Sequence, residues 1–272
     1  MKVENINIGY KEVEQIKYDS LNEFYKYICD TPFNNAFRWA RHGSVDNDKS
    51  FTHTDSFEEA VDLMKNGWTD MAQKLTKKLK DIETEMVPMT KRKSVYDVAG
   101  YQCSVPRYLN GIPTSMIRTI NAPAKQKVVN LVKSIDYSGS VSVDKMLEES
   151  IKAMQIVKKL ENQGYRINLD IMLGSTQSYD GFIIRIRIKN ASERLNISKL
   201  AFPLVHPSML RRLLFRWIEV YPKITKEYVS GYGRPLSNED GRKAINKGEI
   251  FIPSIIRKDM SKINTLDDLE NL

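Results

Sequence analysis

Cysteine is nearly absent from this 272-residue chain: Cys29 and Cys103 are its only two, and histidine occurs three times. Two thiols that far apart exclude a disulfide framework, and no Cys and His residues stand at zinc-ligand spacing. There is no run of about 18 apolar residues, so no membrane-spanning helix is expected. The opening residues Met1-Lys2-Val3-Glu4-Asn5 lead into no apolar stretch of the secretory type. Also missing are a Gly-x-x-x-x-Gly-Lys loop, a Gly-x-Gly-x-x-Gly turn after a strand, and a Cys-x-x-Cys pair. The expectation is a soluble, cytoplasmic protein. An enzyme ranks last among the functional readings, because no acid/base or nucleophile constellation is complete.

What the chain does have is positive charge. Lys and Arg number 42 against 34 Asp and Glu, a net charge of +8 with a pI near 9.2. With 41% hydrophobic and 28% charged residues the composition is that of a globular protein, so the charge sits on a folded body. The excess is local rather than scattered, which points to a polyanionic or acidic partner.

Residues 1–18 read as a strand-like lead and Leu21 to Ile28 as a short helix. A polar loop follows from His42 to Asp55. Ser56-Phe57-Glu58-Glu59 is a capping box opening a helix that Gly67 ends. Trp68 to Ile82 is a second helix, and Lys74, Lys77, Lys78 and Lys80 lie on its solvated face. The charged stretch Glu83 to Lys93, with its run Lys91-Arg92-Lys93, marks an organisational boundary between residues 1–93, mostly helical, and an α/β region of residues 94–272. Tyr101 to Met116 holds Pro106, Gly111 and Pro113, and so reads as an irregular segment packed across the core.

Beyond it, Lys127 to Asp136 is an apolar strand and Ser142 to Gln163 a long helix stopped by Gly164. Tyr165 to Leu173 is a second strand. Phe182 to Lys189 alternates, with Phe182, Ile184, Ile186 and Ile188 on one face and Ile183, Arg185, Arg187 and Lys189 on the other. Pro207 to Tyr221 is a helix with proline in its first turn, and Ile250 to Ile256 is a short strand. Trp39, Trp68 and Trp217 fall in apolar helical patterns and read as core. The fold class is α/β: a helical N-terminal region packed on a C-terminal sheet with a βαββ unit.

Two constellations could carry function. Arg185, Arg187 and Lys189 line one strand face, and Arg211, Arg212 and Arg216 lie within two turns of one helix. Side by side, the two elements would form a groove for the phosphates of a nucleic acid, with arginine forks making two-point contacts. Pairing with Glu193 and Glu219 is the alternative use of these arginines. The second constellation is Asp136-Tyr137-Ser138-Gly139-Ser140, between a strand and a long helix. A carboxylate and two hydroxyls at alternate positions can converge on Mg²⁺, and a turn capping the helix at Ser140 or Ser142 accounts for the same residues. His206 precedes Pro207 as a helix-capping residue.

From Asp136 onward the chain resembles the von Willebrand A-type fold, in which an Asp-x-Ser-x-Ser loop after the first strand forms a metal-dependent adhesion site. The likeness covers residues 127–190, with its long helix and second and third strands. It implies Asp136, Ser138 and Ser140 as metal ligands in a protein-interaction module. The pattern is degenerate: Thr176 is a poor match for the family's threonine, and no aspartate directly follows Ile250 to Ile256. Separately, Phe57-Glu58-Glu59-Ala60 with Gly67-Trp68, Asp97-Val98-Ala99-Gly100, Tyr108 to Met116, and His206-Pro207-Ser208-Met209-Leu210-Arg211-Arg212 are similar to an uncharacterised family of phage and prophage proteins. That resemblance implies a setting in the host cytoplasm, with nucleic acid or an acidic host or phage protein as partner.

Overall fold

The computed structural model describes residues 1–37, 42–80, 90–123, 126–176, 181–224, 232, 235–257, 263 and 266–270. A hairpin opens the chain. Strands β1 (Lys2–Ile8) and β2 (Lys11–Tyr18) pair antiparallel around a turn in which Gly9 takes φ +64°, a left-handed conformation open to a residue without Cβ. Ser20 caps α1 (Leu21–Asp30) by accepting from the Glu23 N–H. Residues 42–55 contain two single helical turns, α2 (Gly43–Asp46) and α3 (Lys49–Thr52), where the sequence reads as an open loop. Helix α4 (Phe57–Asn66) starts at Ser56, whose Oγ accepts from the Glu59 N–H. The Glu59 carboxylate reaches one residue further back than a capping box requires, to the Asp55 N–H. Gly67 stops this helix and α5 (Thr69–Lys80) follows.

A small separate sheet comes next: β3 (Thr90–Asp97), β4 (Gln102–Cys103), the turn of helix α6 (Val105–Leu109), and β5 (Met116–Pro123). Its order is β3-β5-β4, antiparallel throughout. The segment expected to cross the core does not. None of residues 90–123 belongs to either hydrophobic cluster of the protein. Pro106 did not prevent a helical turn either. It stands in the first turn of α6, where no hydrogen bond needs its missing N–H.

The remaining elements are β6 (Val128–Ser134), α7 (Val143–Asn162), β7 (Arg166–Ser175), β8 (Phe182–Lys189), α8 (Ile197–Val205), α9 (Phe215–Val220), α10 (Asn238–Lys243), β9 (Glu249–Ile252) and α11 (Leu266–Glu270). The main sheet has six strands in the order β1-β2-β8-β7-β6-β9, so the protein is a mixed α/β structure. Strand β2 runs parallel to β8, β7 antiparallel to β8, and β6 parallel to both β7 and β9. The carboxyl ends of β2 and β8 therefore leave one edge of the sheet and those of β6, β7 and β9 the opposite edge. Because the N-terminal hairpin belongs to this sheet and residue 93 falls within β3, the boundary read near residue 93 does not separate a helical unit from a sheet unit.

Both faces of β8 are covered. Phe182, Ile184, Ile186 and Ile188 join the large core, with residues of α1, α4, α5, α7 and α8 and Trp217. On the opposite face, Ile183 packs with Ile8, Val13, Val132, Met172, Leu236 and Phe251 in a second cluster. Local alternation showed only the first of these layers. Helix α7 starts at Ser142 as expected, while the 207–221 helix is wound as a π-helix over Met209–Leu214 before α9, with all six of those residues buried. Trp217 is fully buried and donates to the Tyr18 hydroxyl at 2.8 Å, joining α9 to β2. Trp68 is half-buried against the core, and Trp39 lies outside the described residues. Among the described residues no helix is long and apolar enough to cross a membrane.

The second cluster leaves no spare room at α10. A Cβ added at Gly241 would lie 2.4 Å from Cζ of Phe251, far inside contact distance. Gly241→Ala is expected to lower stability by about 1–3 kcal/mol in urea unfolding, as overpacking does, and Phe251→Leu in the same chain to recover part of the loss.

Candidate nucleic-acid interface

Of the six basic side chains expected to form a phosphate groove, Arg185, Lys189, Arg211 and Arg212 are buried and Arg187 and Arg216 half-buried, each with internal partners. Arg185, 2% exposed, donates to Asp170 at 2.7 Å and to both Glu249 oxygens at 2.7 and 2.9 Å. Arg187 pairs with the other Asp170 oxygen. Lys189 is buried, meets Glu161 at 2.6 Å and also donates to three carbonyls. Arg211 lies 4.0 Å over the Phe51 ring and donates to the carbonyls of Phe51 and Val141. Arg212 is fully buried. Its five N–H groups go to the Thr54 hydroxyl and to the carbonyls of Ser44, Val45, Asn47 and Thr54. Arg216 is stacked 3.5 Å over Phe33 and donates to the Ile28 carbonyl. Burial pushes the pKa of Arg211, Arg212 and Arg216 down. These residues form no shared open groove: Arg185 and Lys189 are buried on the strand, the 42–55 turns cover Arg211 and Arg212, and Phe33 stacks on Arg216. The carboxylates of Glu193 and Glu219 are engaged elsewhere, Glu219 by Ser44 and Tyr232 and Glu193 by Asn190, although Glu193 lends its backbone carbonyl to Lys189 and the Glu219 charge acts on Arg216.

Asp136 follows β6 at the edge where β6, β7 and β9 end. It is 2% exposed, and its Oδ2 accepts the Leu236 N–H at 2.7 Å and the Gly174 N–H at 3.4 Å. Burial pushes its carboxyl up to about 7, against the pull of those two N–H donors. The Ser138 and Ser140 hydroxyls bond each other at 3.1 Å, and the Thr176 hydroxyl bonds Asp240. One carboxylate already engaged by two N–H groups and two mutually bonded hydroxyls fall short of the six or more oxygens a hard cation takes, so these residues do not fit Mg²⁺. Among the described residues no group of three or more His, Cys, Asp and Glu could hold a metal ion. A pocket of about 240 Å³ lies beside this loop, lined by Phe51, Tyr137, Arg211, Phe215 and Tyr232 among others. His206 is a buried neutral residue. Its Nδ1 accepts the Ser208 N–H, as a cap would, and burial pushes it down to about 4.

The small sheet is one surface that presents positive charge. Residues 90–123 hold five basic residues, Lys91, Arg92, Lys93, Arg107 and Arg118, against Asp97 alone, half of the chain's net charge. Seven of the thirteen exposed large apolar side chains among the described residues are also here: Tyr96, Val98, Tyr101, Val105, Tyr108, Leu109 and Ile112. The β3–β5 register puts Arg92, Ser94 and Tyr96 on one face with Asn121, Thr119 and Ile117 opposite them, and Gln102 of β4 beside Ile117. The other face carries Lys93, Val95 and Asp97 opposite Ile120, Arg118 and Met116, with Arg118 bonded to Asp97 at 2.9 Å. Arg107 lies 4.3 Å over the Tyr96 ring, held there by its bonds to the Thr114 carbonyl and hydroxyl. The run Lys91-Arg92-Lys93 and the three tyrosines were the available signal. The charged run and the prolines make the segment read as a connection and a core loop, which masks that signal.

Asp136 sets a pH test. A carboxyl whose pKa rises on folding stabilises the fold in its protonated form. That contribution is complete below the ordinary aspartate value of 3.8 and lost as pH rises through about 7. In Asp136→Asn the side chain is neutral throughout. Relative to wild type, the variant is expected to gain on the order of 3–4 kcal/mol between pH 4 and 7.5, whatever its fixed offset. Urea unfolding at several pH values measures this, and parallel curves for the two proteins would contradict it.

Comparison with curated proteins and with solved structures finds no match. The family described as "Domain of unknown function (DUF7192)" matches residues 3–270, nearly the whole chain including the small sheet, and the protein belongs to that family.

Proposed function

We propose that this chain is a nucleic-acid-binding protein and that its contact surface is the small sheet of residues 90–123 rather than the buried arginines. The observation that carries this reading is the coincidence, outside both hydrophobic clusters, of half the net positive charge with most of the exposed aromatic and apolar side chains. Cations that spend their donors inside the fold cannot release counterions from a phosphate backbone. Arg92 and Lys93, exposed and opposite uncharged residues, can. The similarity of several motifs to phage proteins supports placing this activity in the cytoplasm of a phage-infected cell.

Binding is expected to be insensitive to sequence and steeply dependent on salt, because phosphate contacts position a ligand without reading it. Log affinity should fall by about 0.9 per duplex phosphate contact for each log unit of salt. Arg92→Glu with Lys93→Glu is expected to flatten that slope by about two contacts' worth and to weaken all sequences alike. Fluorescence anisotropy at about 50 mM salt measures both, and a wild-type protein that binds neither DNA nor RNA there would sink the proposal.

A second reading is a protein-interaction module of von Willebrand A type. It is supported by the β6–α7–β7–β8 unit, whose strands are neighbours in that order, and by a pocket lined by Tyr137 and Gly139 in the loop after β6, which stands between β7 and β9. A bound partner that survives nuclease digestion favours this reading over the first. Calorimetric titration with Mg²⁺ is expected to show no saturable binding. A micromolar site abolished by Asp136→Ala would overturn the donor-set argument and bring this reading forward.

A further inference from the structure

We infer that the small sheet is a stacking platform selective for single-stranded over duplex nucleic acid, the bases lying on Tyr96 and Tyr101. This inference rests on the nucleic-acid reading above and goes beyond it, because phosphate contacts alone make no such distinction. Among the described residues of the small sheet, one face contains no carboxylate. Arg92, Ser94, Tyr96, Gln102, Thr119 and Asn121 are all exposed on it, and Asp97, the segment's one acid, is on the other face bonded to Arg118. A positive, hydroxyl- and amide-bearing face of this kind complements a polyanion with polar base edges.

The aromatic rings supply the selectivity. Tyr96 is 53% and Tyr101 66% exposed, too open for core residues. Neither is loose. Arg107 covers one side of the Tyr96 ring and is itself fixed by Thr114. The Tyr101 N–H bonds the Ile117 carbonyl at 2.9 Å, and its hydroxyl is within reach of Thr119 and Ser94 on the same face. Rings held in place lose little entropy when a base stacks on them. In a duplex the bases already stack on each other and present only their edges, so only an unpaired strand can use these rings. Arg92 lies four residues from Tyr96 along β3, about 14 Å, which places a phosphate contact and a base contact along one extended strand.

The test is fluorescence anisotropy of the full chain with a labelled single-stranded 20-mer and with the same sequence as duplex. Single strand should bind at least tenfold tighter. Tyr96→Ala and Tyr101→Ala should each weaken single-strand binding about 5- to 150-fold and leave duplex binding unchanged, the range of one lost base stack. Tyr101→Phe keeps the ring and should stay within threefold of wild type, which separates stacking from damage to the sheet. Arg92→Glu should weaken both ligands. Duplex bound as tightly as single strand, or poly-glutamate competing as well as the oligonucleotide, would overturn the platform while leaving a cationic surface standing. Binding of neither nucleic acid would remove both proposals.

Discussion

Arg185 is the ionic constraint on which the main sheet depends. It stands on β8, a strand covered on both sides, and it reaches Asp170 of β7 and Glu249 of β9, across the intervening β6. Burial disfavours a charged guanidinium there, yet the two carboxylates hold it firmly protonated. Without it Glu249 would lose its guanidinium partner and Asp170 would keep only Arg187, and breaking a buried pair in this way costs about 3–5 kcal/mol. The apolar residues around it, Ile183, Met172, Val132 and Phe251, close the second layer over that network. An arginine in this place ties β8 to both β7 and β9 through one guanidinium fork.

The same economy holds across the core helices. Arg212 anchors the α2 and α3 turns by satisfying the carbonyls those short helices leave open, and Glu219 receives Ser44 from the other side. Lys133 is fully buried on β6, where it donates to the carbonyls of Pro253 and Ser254, and burial pushes it down to about 7. These groups tie irregular backbone to the sheet. They account for much of the buried charge, so composition alone overstates how much positive surface the protein offers to a ligand.

How much could be read in advance follows from how local each signal is. Helix α7 was legible because its cap, its apolar stripe and its glycine stop all lie within one stretch of chain. Strand β8 was legible as a strand but misread as half-exposed. Its second layer comes from Val13, Leu236 and Phe251, residues that sequence proximity does not connect to it. The arginine groove failed for that reason, since a basic residue on an alternating strand looks the same whether water or a distant carboxylate faces it. The small sheet was hidden for the opposite reason. Thr90 to Asp97 has no apolar alternation, because neither of its faces packs on a core, and periodicity reports only what is buried.

That lack of a core is itself a physical argument about use. A three-stranded sheet with no layer against it is marginal, and here it is held by the eight-residue pairing of β3 with β5, the Arg118–Asp97 bond and the Arg107–Tyr96 stack. Among the described residues, neither hydrophobic cluster of the main body includes a residue of this sheet. A ligand that lies on Tyr96 and Tyr101 would supply the missing layer, and by mass action would stabilise the sheet in proportion to its own binding. On the proposal above, the exposed rings and open cations would then serve one purpose, to receive the layer that a bound strand supplies.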